Sequence, residues 1–122
     1  MIALDTGLLI AVERRSLAAQ KLLDTAAGDG DDLLVSAMVL AEVWRDPPSV
    51  LIARTLSGCR IEPVDARLAR AAGAAIGATG AGATDAIIAA SAARAGAPLV
   101  TTDIDEMRRL AEHIHGLRLV AL

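Results

Sequence analysis

Short apolar runs alternate with longer helical segments along the whole chain, and this alternation restricts the fold more than any other feature. Ile2-Ala-Leu4, Leu33-Leu-Val35 and the stretches 60–64, 98–102 and 117–122 read as strands. Between them the helix signals are regular. Thr6-Gly7 permits a tight turn into 8–13, Ser16 can cap a helix to about residue 27, and Ser36 one that runs to 45. Asp46 before Pro47-Pro48 predicts a helix to about 57, Asp65 caps one over 66–78, and Gly96 ends one over 83–95. A last helix spans 105–115. Strands alternating with helices in this way predict an α/β fold whose mainly parallel sheet is covered on both faces. At 122 residues the expectation is one domain, 1–122, burying roughly two-thirds of its unfolded surface.

Apolar residues make up 54% of the chain, so a membrane segment must be weighed before a globular fold is accepted. The best candidate, 71–93, is mostly Ala and Gly and carries Asp85 and four glycines, a poor composition for insertion. The N-terminus lacks a secretory pattern, because Asp5 interrupts it and the basic pair Arg14-Arg15 follows the apolar run. A cytoplasmic protein that does not engage membranes is expected. The lone Cys59 excludes a disulfide framework within the chain and reads as a small core residue. A net charge of −3 argues against a broad electrostatic grip on nucleic acid, yet leaves room for a few arginines acting locally.

Four carboxylates, Asp5, Glu42, Asp85 and Asp103, lie within or at the end of apolar stretches. An ionised carboxylate in such surroundings shifts its pKa, finds a partner or binds a cation. Taken singly, each has an ordinary explanation: Asp103 as a helix cap, Glu42 as a partner of Arg45 or Arg14. Asp85 resists that explanation best, being the only ionisable residue from 71 to 93. Asp5 and Asp103 directly follow predicted strands, and Glu42 and Asp85 lie on helices that succeed others. In open α/β sheets ligands bind beyond the carboxyl ends of the strands, so all four acids are free to converge there. A set of Asp and Glu without His or Cys is a hard oxygen site, suited to Mg²⁺ or Mn²⁺. Such a site activates water against a phosphodiester, with one metal or two.

In order and spacing, Ile-Ala-Leu-Asp5-Thr6, Ala41-Glu42-Val43, Thr84-Asp85-Ala-Ile-Ile-Ala-Ala90 and Leu99-Val-Thr-Thr-Asp103-Ile-Asp105 resemble the motifs of a PIN domain. Within that family the chain is most similar to the VapC-type toxins of bacterial toxin–antitoxin pairs, and the likeness covers essentially its whole length. The resemblance implies a three-layer α/β/α sandwich and a Mg²⁺- or Mn²⁺-dependent endoribonuclease. It also implies a homodimer and inhibition by a small VapB-type antitoxin. By motif position Asp5, Glu42 and Asp85 carry over as the core catalytic and metal-binding acids, Asp103 as the fourth and Asp105 as a weaker fifth. Glu106-Met107 stands where the family often has an aromatic residue. With Trp44 the only aromatic side chain, no platform exists for stacking splayed bases, and RNA is expected to be held by shape and phosphate contacts. Thr6 and Thr102, next to two of the acids, are candidates for orienting metal-bound water or plain turn hydroxyls. Arg45 is a surface residue by default and a phosphate or antitoxin contact by position.

Two other readings concern different classes of protein. The Gly80-Ala-Gly82 pair is no dinucleotide loop, since Asp85 stands where the third glycine belongs and would repel a pyrophosphate. The rival that survives is a non-catalytic PIN-like module that keeps the acids and acts through a protein partner.

Overall fold

A computed structural model describes residues 1–122. Five parallel strands, β1 (Ile2–Leu4), β2 (Leu33–Ser36), β3 (Cys59–Glu62), β4 (Leu99–Thr101) and β5 (Leu119–Ala121), form one sheet in the order β3-β2-β1-β4-β5. Seven helices connect them: α1 (Thr6–Glu13), α2 (Leu17–Gly28), α3 (Ala37–Val43), α4 (Val50–Ser57), α5 (Ala66–Thr79), α6 (Ala83–Ala95) and α7 (Ile104–Ala111). The chain steps from β1 outward to β3, then crosses back over β2 and β1 to add β4 and β5. Because such crossovers are right-handed, reversing the direction of travel moves the connecting helices to the opposite face. Accordingly α1 packs with α2 and α4, whereas α5, α6 and α7 pack with one another; α3 touches both α1 and α6. The result is the three-layer α/β/α sandwich with a parallel sheet that the alternation of elements predicts.

The strands are short and nearly continuously apolar because both faces are covered. Leu4, Leu34, Val35, Leu99 and Val100 are all buried, in register across β2, β1 and β4. On the α6 side the core is made by small residues: Ala86, Ala89 and Ala92 are fully buried, and α6 packs on β2 and α5. This is why so much alanine is compatible with a filled interior, since small side chains let the backbones approach. Ser91 shares that buried surface, and its hydroxyl has no hydrogen-bond partner. No helix is long and apolar enough to cross a membrane.

Most predicted boundaries agree to within a residue or two; two helices depart further, and α1 shifts its start by two residues. Helix α1 begins at Thr6, with Asp5 as its cap, instead of after a Thr6-Gly7 turn. The helix expected from Asp46 starts at Val50 and is capped by Ser49, whose hydroxyl accepts from Ile52 N at 3.1 Å. A residue that precedes proline is pushed out of the helical region, which excludes Asp46 and Pro47 together. Helix α7 is shorter than 105–115: it ends at Ala111, and Gly116 at φ +80° turns the chain toward β5. Trp44 is not a core residue. It caps the C-terminus of α3 with 45% of its surface exposed.

Candidate active site at the carboxyl edge of the sheet

Between β1 and β4 the chain changes direction across the sheet, and in open α/β sheets such a switch point marks the crevice in which ligands bind. Asp5 follows β1 and Asp103 follows β4, so both stand at that switch point. Asp5 is buried, and both its carboxylate oxygens are engaged by backbone: Oδ1 accepts from Leu8 N at 2.8 Å, and Oδ2 accepts from Thr102 N at 3.1 Å. One side chain thus caps α1 and ties the end of β1 to the end of β4.

That tie requires close approach. A Cβ on Gly7 would lie 1.8 Å from the Thr102 hydroxyl oxygen, so the first turn of α1 can rest against the β4–α7 turn only because residue 7 has no side chain. Thr102 therefore serves Asp5 through its backbone N–H, while its hydroxyl lies over Gly7. Thr6 donates its hydroxyl to Oε1 of Glu42, fixing an otherwise exposed carboxylate on α3. This contact replaces the Arg45 or Arg14 partnership open to Glu42 on sequence grounds. Asp103 caps α7 through a long contact from Glu106 N at 3.4 Å, and its own N–H donates to the buried Thr101 hydroxyl at 2.9 Å.

Asp85, in the first turn of α6, joins these acids. Partial burial, and after it the charges of Asp103, Glu106, Glu42 and Asp5, hold its carboxyl above the usual carboxylate range. The four acids singled out from the sequence thus share one electrostatic neighbourhood. Asp105 does not: its side chain is 93% exposed and pairs with Arg108 at 3.7 Å. Glu106 takes its place as the fifth acid. Glu106 lies three residues after the capping Asp103, and the packing of α7 turns it toward Asp85. No three acidic, histidine or cysteine side chains stand close enough to grip one ion among themselves. The donor set is nevertheless entirely carboxylate oxygen, the chemistry of a hard divalent ion.

Two arginines absent from the sequence reading organise the surroundings. Arg109 donates to Glu106 Oε2 at 3.0 Å and to the carbonyl of Thr79 at the end of α5. It therefore fastens α7, which carries Asp103 and Glu106, to the 80–82 connection that leads into Asp85. Farther away, Arg94 on α6 bonds Glu62 at 2.7 Å and Asp65 at 2.8 Å, locking the β3–α5 turn to α6. The Leu68 N–H and then Arg94 lower the Asp65 carboxyl below its ordinary value. Cys59 is half-buried, and burial pushes its thiol up to about 11, in keeping with a packing role.

A parallel α/β sheet with carboxylates gathered at its switch point defines a class of acid-lined α/β domains, and comparison with known proteins narrows it. The family model described as PIN domain matches residues 2–113, and the chain belongs to that family. No curated protein sequence matches it. Among solved structures, it is similar to VapBC2 from Rickettsia felis bound to a promoter DNA fragment, at 24% identity and a TM-score of 0.80, covering 100% of this chain and 99% of the other. It is also similar to a toxin–antitoxin complex from Klebsiella pneumoniae, at 21% identity and a TM-score of 0.76, covering 98% and 96%. A third, DNA-bound VapBC from Salmonella typhimurium, has 20% identity and a TM-score of 0.70, covering 99% and 98%. At these identities the likeness is one of fold.

Proposed function

We propose that residues 1–122 act as one metal-dependent endoribonuclease domain, the VapC-type toxin of a toxin–antitoxin pair, cutting RNA phosphodiester bonds in the cytoplasm. The observation that carries this reading is that Asp85, raised first by partial burial, also feels the charges of Asp103, Glu106, Glu42 and Asp5. Asp5, Glu42, Asp85 and Asp103 form no ion pair with a base, and carboxylates brought together in that state favour a cation. The all-carboxylate donors suit Mg²⁺ or Mn²⁺. Membership of the PIN domain family and the fold shared with VapBC complexes support the nuclease and toxin assignments. The same likeness supports a VapB-type antitoxin partner, and a homodimer is proposed with it.

In this reading Asp5, Glu42, Asp85 and Asp103 hold the ion, Asp5 oriented by two backbone N–H groups and Glu42 by the Thr6 hydroxyl. When bound, the ion supplies an activated water and offsets charge on the scissile phosphate. Thr101 and Arg109 keep Asp103 and Glu106 at the crevice. Purified chain freed of any partner should cleave RNA when Mg²⁺ or Mn²⁺ is added, and Asp5→Asn and Asp85→Asn should abolish cleavage while the circular dichroism spectrum is retained. If the wild type cleaves no RNA at any level of either ion, the non-catalytic module that works through a protein partner is the better reading. Isolation of the chain with a small protein encoded beside it tests the partner separately.

A further inference from the structure

Beside Glu42, on the side away from Asp5, lies a cavity of about 280 Å³ between the C-terminal ends of α1 and α3, floored by Ile52 of α4. Arg14 and Arg45 line it together with Glu13 and Glu42. Arg14 and Arg45 form no ion pair, a state they share with several surface arginines, and what sets them apart is that they line one cavity. Arg45 is instead braced by its own chain, Nη1 donating to the Trp44 carbonyl at 2.7 Å. Arg14 terminates α1, which begins at the Asp5 cap and, at eight residues, is about 12 Å long. Two unpaired guanidinium groups therefore stand a short helix away from Asp5, in a cavity that they share with Glu13 and with Glu42, the latter committed to Thr6. Guanidinium is the side chain best shaped to hold phosphate oxygens, and a chain with one aromatic residue has few other ways to hold single-stranded RNA.

We infer that the Arg14–Arg45 cavity is a phosphate subsite that holds the RNA backbone at a nucleotide next to the one presented to the acids. The inference rests on the nuclease reading for its substrate, but binding tests it apart from cleavage. In the Asp85→Asn background, affinity for a short single-stranded RNA should fall about tenfold with Arg14→Ala or Arg45→Ala. The slope of log affinity against log salt should flatten by about 0.7 for each lost phosphate contact. Arg45→Lys should keep the slope and part of the affinity, and Arg70→Ala, on the far face, should change neither. Unchanged affinity and slope in the double Arg14→Ala, Arg45→Ala variant, with its melting temperature preserved, would overturn the subsite. So would unchanged RNA binding accompanied by loss of a VapB-type partner, which would make the cavity a protein contact. Failure of the wild type to cleave RNA, with these binding effects intact, would sink the nuclease reading and leave the subsite standing.

Discussion

Asp85 shows how one residue can be both a structural liability and the reason a site exists. Its carboxyl is held above the ordinary range, so in the absence of metal the fold is favoured by its protonation. The penalty is complete above the folded pKa and disappears as pH falls toward about 3.9, the unfolded value. Metal-free Asp85→Asn should therefore melt a few degrees above wild type at pH 7, with the gap closing toward pH 4; equal melting temperatures at pH 7 would contradict the assignment. Gly7 illustrates the opposite economy, a residue needed for what it lacks. Gly7→Ala places a methyl against Thr102 and should cost about 1–3 kcal/mol through overpacking, measured by urea unfolding. Adding Thr102→Ala removes the nearest atom but leaves its Cβ at 3.0 Å, so it should recover part of the loss. The Asp85 liability is legible in its apolar stretch, whereas the Gly7 constraint is not, because the partner that forbids a side chain lies ninety-five positions away.

Among the elements, the positions of Asp103 and Asp85 depend on how α7 meets the α5–α6 connection, and Arg109 is the side chain that joins them. Arg109→Ala should leave the fold intact and raise several-fold the Mg²⁺ concentration needed for half-maximal thermal stabilisation. Lysine at 109 should restore it only partly, because a compact ammonium lacks the fork that reaches Glu106 and Thr79 together. A Mg²⁺ titration identical to wild type for Arg109→Ala would exclude this role. The elements themselves were largely legible. Ser16, Ser36 and Asp65 cap the helices that their spacing predicts, and Gly96 at φ +67° ends α6 where a glycine signals it. Legibility failed where a local rule was outvoted, as at Asp46, whose capping potential is overridden by the prolines that follow it. It failed again at Asp105 and Glu106: adjacent residues on α7 point about 100° apart, and only the packing of that helix decides which one faces the crevice.

Under the proposed function the whole molecule would be a frame that holds like charges together for a cation. Mg²⁺ should raise the melting temperature of the wild type in a concentration-dependent manner, by about 2.7 kcal/mol of added stability at one hundred times Kd. The Asp5→Asn, Asp85→Asn double variant should show no such rise; if it gains as much as wild type, the ion binds elsewhere. By itself the amino-acid sequence determined the α/β class, the parallel sheet, nearly every strand and helix, and the four acids worth suspecting. These are local properties, set by apolar periodicity, capping and turn chemistry within a few residues. The tertiary structure alone decided that β1 and β4 are neighbours and that Thr6 rather than an arginine holds Glu42. It also decided that Glu106 replaces Asp105 and that Arg14 and Arg45 share a cavity. Those facts join residues tens of positions apart, and such contacts are chosen by how completed helices and strands pack, which no short stretch of the chain encodes.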